Sequence, residues 1–236
     1  MRPVSSSKAR WHRNPVRLAG LALLVFGHAA YALGLDVHVT DGDGEVLADA
    51  VISLVADKPA PATAPAAATM DQRGLEFVPH VLAVQRGAAV IFPNSDQVRH
   101  QVYSFSPAKK FELRLYKAIP SGPIVFDQAG VATIGCNIHD WMLGYIVIVD
   151  TPWFGKSDAS GNVRLEGMPA GGYRMTAWHP RVVGDDTGLS KRLSLNSTDA
   201  KESIAIPLDP PPPPAAPPSE LEQKFRAYRK SVPDGT

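Results

Sequence analysis

Residues 131–149 read VATIGCNIHDWMLGYIVIV, a stretch in which two apolar runs enclose one short polar loop. Residues 131–134 and 144–149 are rich in valine and isoleucine, which favour β-strands. The loop between them holds a cysteine, a histidine and a methionine within seven residues. The stretch therefore predicts two strands joined by a loop with thiol, imidazole and thioether side chains.

Similar apolar runs recur upstream of this stretch and are separated by turn residues. They lie at residues 75–84, 88–92, 98–105, 111–116 and 124–126. Regularly spaced short strands of this kind are typical of a β-sandwich or barrel with Greek-key connections. We therefore predict an all-β chain in which residues 70–150 form one sandwich domain.

Two further β-rich segments flank that domain. In residues 33–57, two apolar runs on either side of the turn Asp41-Gly42-Asp43-Gly44 predict a hairpin. Residues 151–208 contain further strands, but too few to close a sandwich alone. We therefore expect the two segments to pair into a second, smaller sandwich, with the 70–150 domain inserted between them.

The remaining segments are linkers and a tail. Residues 58–69 consist mainly of proline, alanine and threonine, and residues 209–218 are rich in proline, so both predict extended linkers. Ser219 and Glu222 form a capping box at the start of residues 219–236. These features predict a short C-terminal helix.

Residues 1–32 have the features of an export signal. Five basic side chains precede or enter an apolar run at residues 18–26, and Ala30-Tyr31-Ala32 offers small residues to a peptidase. The run is shorter than the roughly 20 residues of a membrane span. We expect a mature periplasmic protein that begins near Leu33 and has no stable membrane span, with an uncleaved anchor as the alternative.

The charge balance argues against a nucleic-acid partner. The whole chain has 24 basic and 23 acidic residues, but five of the basic ones lie in the expected signal. The remaining 19 basic and 23 acidic residues give the mature protein a net negative charge, whereas nucleic-acid binding requires a basic face.

The candidate metal ligands are His100, Cys136, His139 and Met142. Thiolate, imidazole and thioether are donors of a type 1 (blue) copper site, in which two histidines and a cysteine lie in a plane with a weak axial methionine. His100 is the best candidate for the second imidazole, because alternation along residues 98–102 places it on the same strand face as Val98 and Val102, which is the core-facing side if the valines are buried. Zinc favours more thiolate or imidazole donors and has no need of methionine.

Each of these residues also has an interpretation without a metal. Cys136 and Met142 can serve as core residues, and His139 can be a solvated loop histidine. His38 and His80 are interpreted as structural. For His179, a structural role and a secondary metal or partner contact both remain open. No phosphate-binding loop, serine-hydrolase elbow or metalloprotease motif occurs.

The sequence resembles the cupredoxin superfamily. Two motifs support this resemblance. The Cys-x-x-His-x-x-Met spacing that starts at Cys136 is that of amicyanin, and His100-Gln101-Val102 looks like the family's His-Asn-Val. Gln101 departs from this pattern. The whole chain is similar to exported proteins that are often labelled methylamine utilisation proteins with a plastocyanin-like domain. The outer segments resemble the carboxypeptidase regulatory-like (transthyretin-like) sandwich.

These features together predict a function. We expect one copper ion held by the four candidate ligands, and one-electron transfer with an unidentified redox protein rather than enzymatic catalysis. Two alternatives remain. The protein can carry or store copper, or it can be a non-redox binding module that acts through its regulatory-like domain.

Overall fold

The computed structural model describes residues 33–59, 63–120, 122–184, 188–196 and 200–210. Within these ranges the chain forms β-strands and no helix, which confirms the prediction of an all-β fold. Consequently, no helix that could cross a bilayer is found in this part of the chain. The predicted signal, the C-terminal helix and most of the second proline-rich linker lie outside the described residues.

The strands, in chain order, are β1 (Leu33–Asp41), β2 (Val51–Ala56), β3 (Ala68–Thr69), β4 (Asp71–Gln72), β5 (Phe77–Val78), β6 (Val81–Gln85), β7 (Ala88–Ile91), β8 (His100–Ser104), β9 (Phe111–Tyr116), β10 (Ile124–Phe126), β11 (Gly130–Gly135), β12 (Leu143–Val149), β13 (Phe154–Lys156), β14 (Asn162–Met168), β15 (Gly171–Trp178), β16 (Leu189–Leu195) and β17 (Ala200–Ile206).

Strands β1 and β2 form two sheets together with strands β13 to β17, and we call this pair of sheets the outer sandwich. One sheet has the order β14-β1-β17 and the other the order β13-β2-β15-β16. Strand β1 runs antiparallel to β14 and parallel to β17. Apolar side chains from both sheets, such as Leu35, Ile52 and Met175, form one buried core. This burial stabilises the pairing of segments that are more than a hundred residues apart in sequence.

The hairpin predicted for residues 33–57 is wrong. β1 and β2 lie in different sheets of the outer sandwich rather than side by side. Leu35 and Val37 of β1 share a core with Ile52 and Leu54 of β2, and all four are buried. The predicted turn forms after β1, at residues 42–44. The chain then crosses to the other sheet, so that the apolar faces of β1 and β2 are both buried.

The strands between these segments form the central sandwich. Its sheets have the orders β10-β7-β3 and β6-β12-β11-β8-β9, and a small β4-β5 pair lies beside them. Met70, Phe92, Val102 and Phe126 belong to its core. Part of the predicted linker joins this sandwich, because Ala68 and Thr69 pair with β7.

A third apolar cluster joins the two sandwiches. Val51 and Trp178 come from β2 and β15 of the outer sandwich, and four valines come from β6, β11 and β12 of the central one. All six side chains are buried. Strands β6, β11 and β12 of the five-stranded sheet are therefore covered on both faces, by the core of the central sandwich and by this cluster.

Candidate metal site

Strand pairing brings the two histidines and the cysteine to the same end of the central sandwich. β11 ends at Gly135, so Cys136 is the first residue of the loop that leads to β12. β8 runs antiparallel to β11, with Tyr103 opposite Gly135. Because His100 lies three residues before Tyr103, it sits beside the residues that follow Gly135.

The donor atoms of His100, Cys136 and His139 form a compact triangle. Nδ1 of His100 lies 3.1 Å from Nδ1 of His139 and 3.9 Å from Sγ of Cys136. Sγ of Cys136 lies 3.7 Å from Nδ1 of His139. Among the described residues, no other group of three or more His, Cys, Asp or Glu side chains has the arrangement of a metal site.

The size of this triangle fits one metal ion. A point equidistant from the three atoms lies about 2.1 Å from each of them, close to the roughly 2.0 to 2.3 Å of zinc bonds to imidazole nitrogen and thiolate sulfur. An ion at the centre of the triangle would therefore lie within bonding distance of all three donor atoms without movement of the backbone.

Most of the donor set is withdrawn from water. Cys136 is 2% exposed and His100 is fully buried, while His139 is only partly buried. Burial lowers the pKa of His139, and the nearby His100 lowers it further, against an opposing effect of Asp96. His139 therefore keeps a neutral ring, as metal ligation requires, to lower pH than an ordinary histidine.

Asp96 was not recognised from the sequence as part of the site. Its Oδ2 lies 2.9 Å from Nε2 of His100. Backbone N–H groups of Gly74 and Leu75 donate to the same carboxylate at 2.7 and 2.9 Å. Burial raises the pKa of Asp96, but these hydrogen bonds and His100 together lower it below its ordinary value. An ionised Asp96 fixes the proton of His100 on Nε2 and leaves the Nδ1 lone pair available to a metal.

The segment that carries Asp96 is held by Asn94, which is buried. The side-chain amide of Asn94 donates to the carbonyl oxygens of Val98 and Tyr116, at 2.9 and 3.1 Å. Its Oδ1 accepts the backbone N–H of Asp96 at 3.0 Å. The loop before His100 is thus tied to β9 and its carboxylate is fixed in place.

Met142 lies in the same buried cluster as Cys136 and is 2% exposed. Its backbone N–H donates to the carbonyl oxygen of His139 at 2.9 Å, which closes the turn of the loop. Met142 is therefore buried among apolar side chains on the loop that carries His139, in surroundings that suit a weak thioether donor.

Two details of the site differ from the predictions. Val98 is 46% exposed and precedes β8, so it does not share a buried face with His100 and Val102. Gln101 does not link the site to the cysteine loop, because its side-chain amide donates to Glu112 at 2.7 Å. His100 is nevertheless fully buried, as is Val102 two residues further along β8.

No family model and no curated protein matches the sequence. Among solved structures, the chain is similar to a copper-containing nitrite reductase from Thermus scotoductus SA-01 at 24% identity and TM-score 0.33, over 35% of this chain and 22% of the reductase.

It is also similar to a purple cupredoxin from Nitrosopumilus maritimus at 22% identity and TM-score 0.29, over 35% of this chain and 99% of the cupredoxin. For a reduced Cu(I) form of an amicyanin mutant, the identity is 21% and the TM-score 0.32, over 43% of this chain and 99% of amicyanin. These TM-scores are too low to bear on function, so the interpretation of the site rests on its geometry.

Proposed function

We propose that this chain is a periplasmic type 1 copper protein that carries single electrons between redox proteins. The observation that supports it best is the triangle of donor atoms from His100, Cys136 and His139, whose size suits one metal ion. We further propose that residues 70–150 form the copper domain, inserted in a transthyretin-like sandwich of residues 33–57 and 151–208.

Each donor has a distinct role in this proposal. The Cys136 thiolate and the two imidazoles would hold the ion, and the Met142 thioether would be a further, weak donor. Such a donor set would supply one-electron chemistry, since it suits both Cu(I) and Cu(II). Burial of Cys136 and Met142 supports this assignment because it keeps water from the thiolate and the axis.

The partly buried His139 offers an edge for electron exchange with a partner. Its ring centre lies 5.5 Å from that of Trp141, which is 67% exposed. Ile138 and Leu143 are also exposed. A small apolar surface around a ligand suits a brief encounter with a redox protein, because it excludes water near the donor without a large interface.

The burial of the donors argues against copper carriage. Transfer of an ion to another protein requires ligands that an acceptor can reach, but His100 is fully buried and Cys136 is 2% exposed. Only His139 is accessible. Retention of the ion and exchange of electrons through His139 suit this arrangement better.

The visible spectrum tests the proposal. Cu(II) added to the purified mature protein should give an intense thiolate-to-copper band that ascorbate bleaches and reoxidation restores. Cys136→Ser should abolish the band, and Met142→Gln should alter the reduction potential while the metal is kept. His38→Gln is a matched control, since His38 lies in the outer sandwich and contacts Asn162.

Other outcomes would contradict the proposal in different ways. Binding of Cu(I) alone would favour carriage, and no binding of either ion would favour a non-redox binding module. A band that persists in Cys136→Ser would show that the copper lies elsewhere.

A further inference from the structure

Trp178 of the outer sandwich packs on a strand that starts at the candidate site. It is the last residue of β15, it is 4% exposed, and its ring centre lies 5.6 Å from that of Tyr145 on β12. Within the part of the chain that the structure describes, its indole nitrogen has no hydrogen-bond partner. Trp178 therefore contacts the central sandwich by apolar packing of its ring.

Tyr145 in turn holds His80, the residue before β6. The two rings meet edge to face, with centres 5.4 Å apart. The backbone N–H of Tyr145 also donates to the carbonyl oxygen of His80 at 2.9 Å. One backbone bond and one ring contact thus fix His80 against the beginning of β12.

His80 then contacts Leu143, the first residue after the loop of residues 136–142, which we call the metal loop. Its Nδ1 donates to the carbonyl oxygen of Leu143 at 3.1 Å. Leu143 follows Met142, whose N–H closes the loop onto His139. The contacts thus form a continuous series from Trp178 to Met142 and His139, two of the proposed ligands.

We propose that Trp178 is a positioning residue for the metal loop, acting through Tyr145 and His80 on Leu143 and Met142. The outer sandwich then has a role in the redox chemistry, because it sets the position of the axial thioether. This inference rests on the proposed function for its consequences at copper, but the contacts themselves do not require a metal.

Trp178→Ala and Trp153→Ala form a matched pair that tests this inference. Trp153 is also a buried tryptophan of the outer sandwich, 6% exposed, but it packs on Tyr173, away from the loop. We expect Trp178→Ala to shift the reduction potential and the thiolate band and to weaken copper binding by up to about tenfold, the lower end for outer-shell partners of a metal site. Trp153→Ala should leave all three unchanged.

Two milder variants separate the links. Trp178→Phe keeps a ring against Tyr145 and should retain the wild-type potential. His80→Phe keeps a ring but cannot donate to Leu143, so it should reproduce the shift of Trp178→Ala. A protein that combines Trp178→Ala with His80→Phe should show a smaller shift in potential than the sum of the two single shifts, because both substitutions act along one chain of contacts.

Amide hydrogen exchange in the metal-free protein provides a readout that needs no copper. Trp178→Ala should speed exchange of the Met142 N–H, and Trp153→Ala should not. Unchanged Met142 protection in Trp178→Ala would overturn the inference, as would equal effects of the two alanine variants. If the wild type binds no copper, the proposed function fails, yet the exchange experiment still decides the positioning role.

Discussion

Nε2 of His100 lies 2.9 Å from Oδ2 of Asp96, and both groups lie within the central sandwich at the end where the cysteine loop begins. The carboxylate thereby selects the tautomer of the imidazole and holds its ring plane. Since the backbone N–H groups of Gly74 and Leu75 anchor Asp96, the orientation of His100 depends on a turn distant in sequence.

Removal of the Asp96 carboxylate should weaken metal binding more than removal of any other carboxylate near the loop. We expect Asp96→Ala to lower copper affinity by about 10- to 100-fold, the usual range for such partners of a ligating histidine. Competition with a chromophoric chelator measures this change. Asp140→Asn is the control, because Asp140 is exposed beside His139. Equal affinities for Asp96→Ala and the wild type would show that Asp96 does not support the site.

The local part of the site was predictable from the sequence, whereas its long-range part was not. Cys136, His139 and Met142 share one short loop, so their proximity follows from chain connectivity. A strand pattern made His100 the best candidate for the second imidazole, but that pattern assigned Val98 to the wrong environment. Only the fold brings His100 to Cys136, which lies 36 residues away in sequence. Asp96 was missed because its role depends on the turn that Asn94 holds, and nothing in the local sequence distinguishes it from an ordinary loop carboxylate.

The error at residues 33–57 has the same origin. Turn residues and alternating apolar side chains indicate where strands begin and end, but not which sheet a strand joins. β1 and β2 bury their apolar side chains in one core from opposite sheets. Only the positions of β14, β15 and β17, more than a hundred residues away, determine that choice.

Two exposed basic side chains close to His100 in the sheet should favour anionic reaction partners. Arg99 and Lys117 are exposed, have no ion-pair partner among the described residues and flank the paired residues His100 and Tyr116. Reduced copper protein should therefore react with hexacyanoferrate(III) faster at low ionic strength, and Arg99→Glu with Lys117→Glu should slow that reaction about tenfold.

Stopped-flow rates at several salt concentrations measure this effect. Lys110→Glu is the control for each of the two charge reversals made singly, because Lys110 is exposed and precedes β9 at the end far from Tyr116. A rate that responds to Lys110→Glu as much as to Arg99→Glu or Lys117→Glu would indicate an effect of net charge rather than of these two side chains.

Tyr116 should make the protein sensitive to alkaline pH. Burial raises its pKa to about 12, and its hydroxyl donates to the carbonyl oxygen of Phe92. Because the unfolded tyrosine ionises at about pH 10, the contribution of Tyr116 to stability is present below pH 10 and is lost as the pH rises to about 12. Tyr116→Phe should show a shallower loss of stability over this range in urea unfolding. An identical slope for the two proteins would contradict the expectation.

Gly144 is the second residue of β12, where the strand leaves the metal loop and packs on Phe77. A Cβ at this position would lie 2.9 Å from Cβ of Phe77, an atom that no side-chain rotation can move away. Since Phe77 is 1% exposed, Gly144→Ala must displace the strand, and we expect it to lower the free energy of unfolding by about 1 to 3 kcal/mol.

Gly171→Ala is the matched control for this substitution, because Gly171 also lies in a strand and an added Cβ there would meet nothing within 4 Å. It should change stability by no more than about 0.5 kcal/mol. Urea unfolding of the metal-free proteins gives both values. Because Leu143 and Met142 directly precede Gly144, its displacement should also shift the thiolate band of the copper form. If Gly144→Ala matches Gly171→Ala in stability, the contact between β12 and Phe77 is looser than the structure indicates.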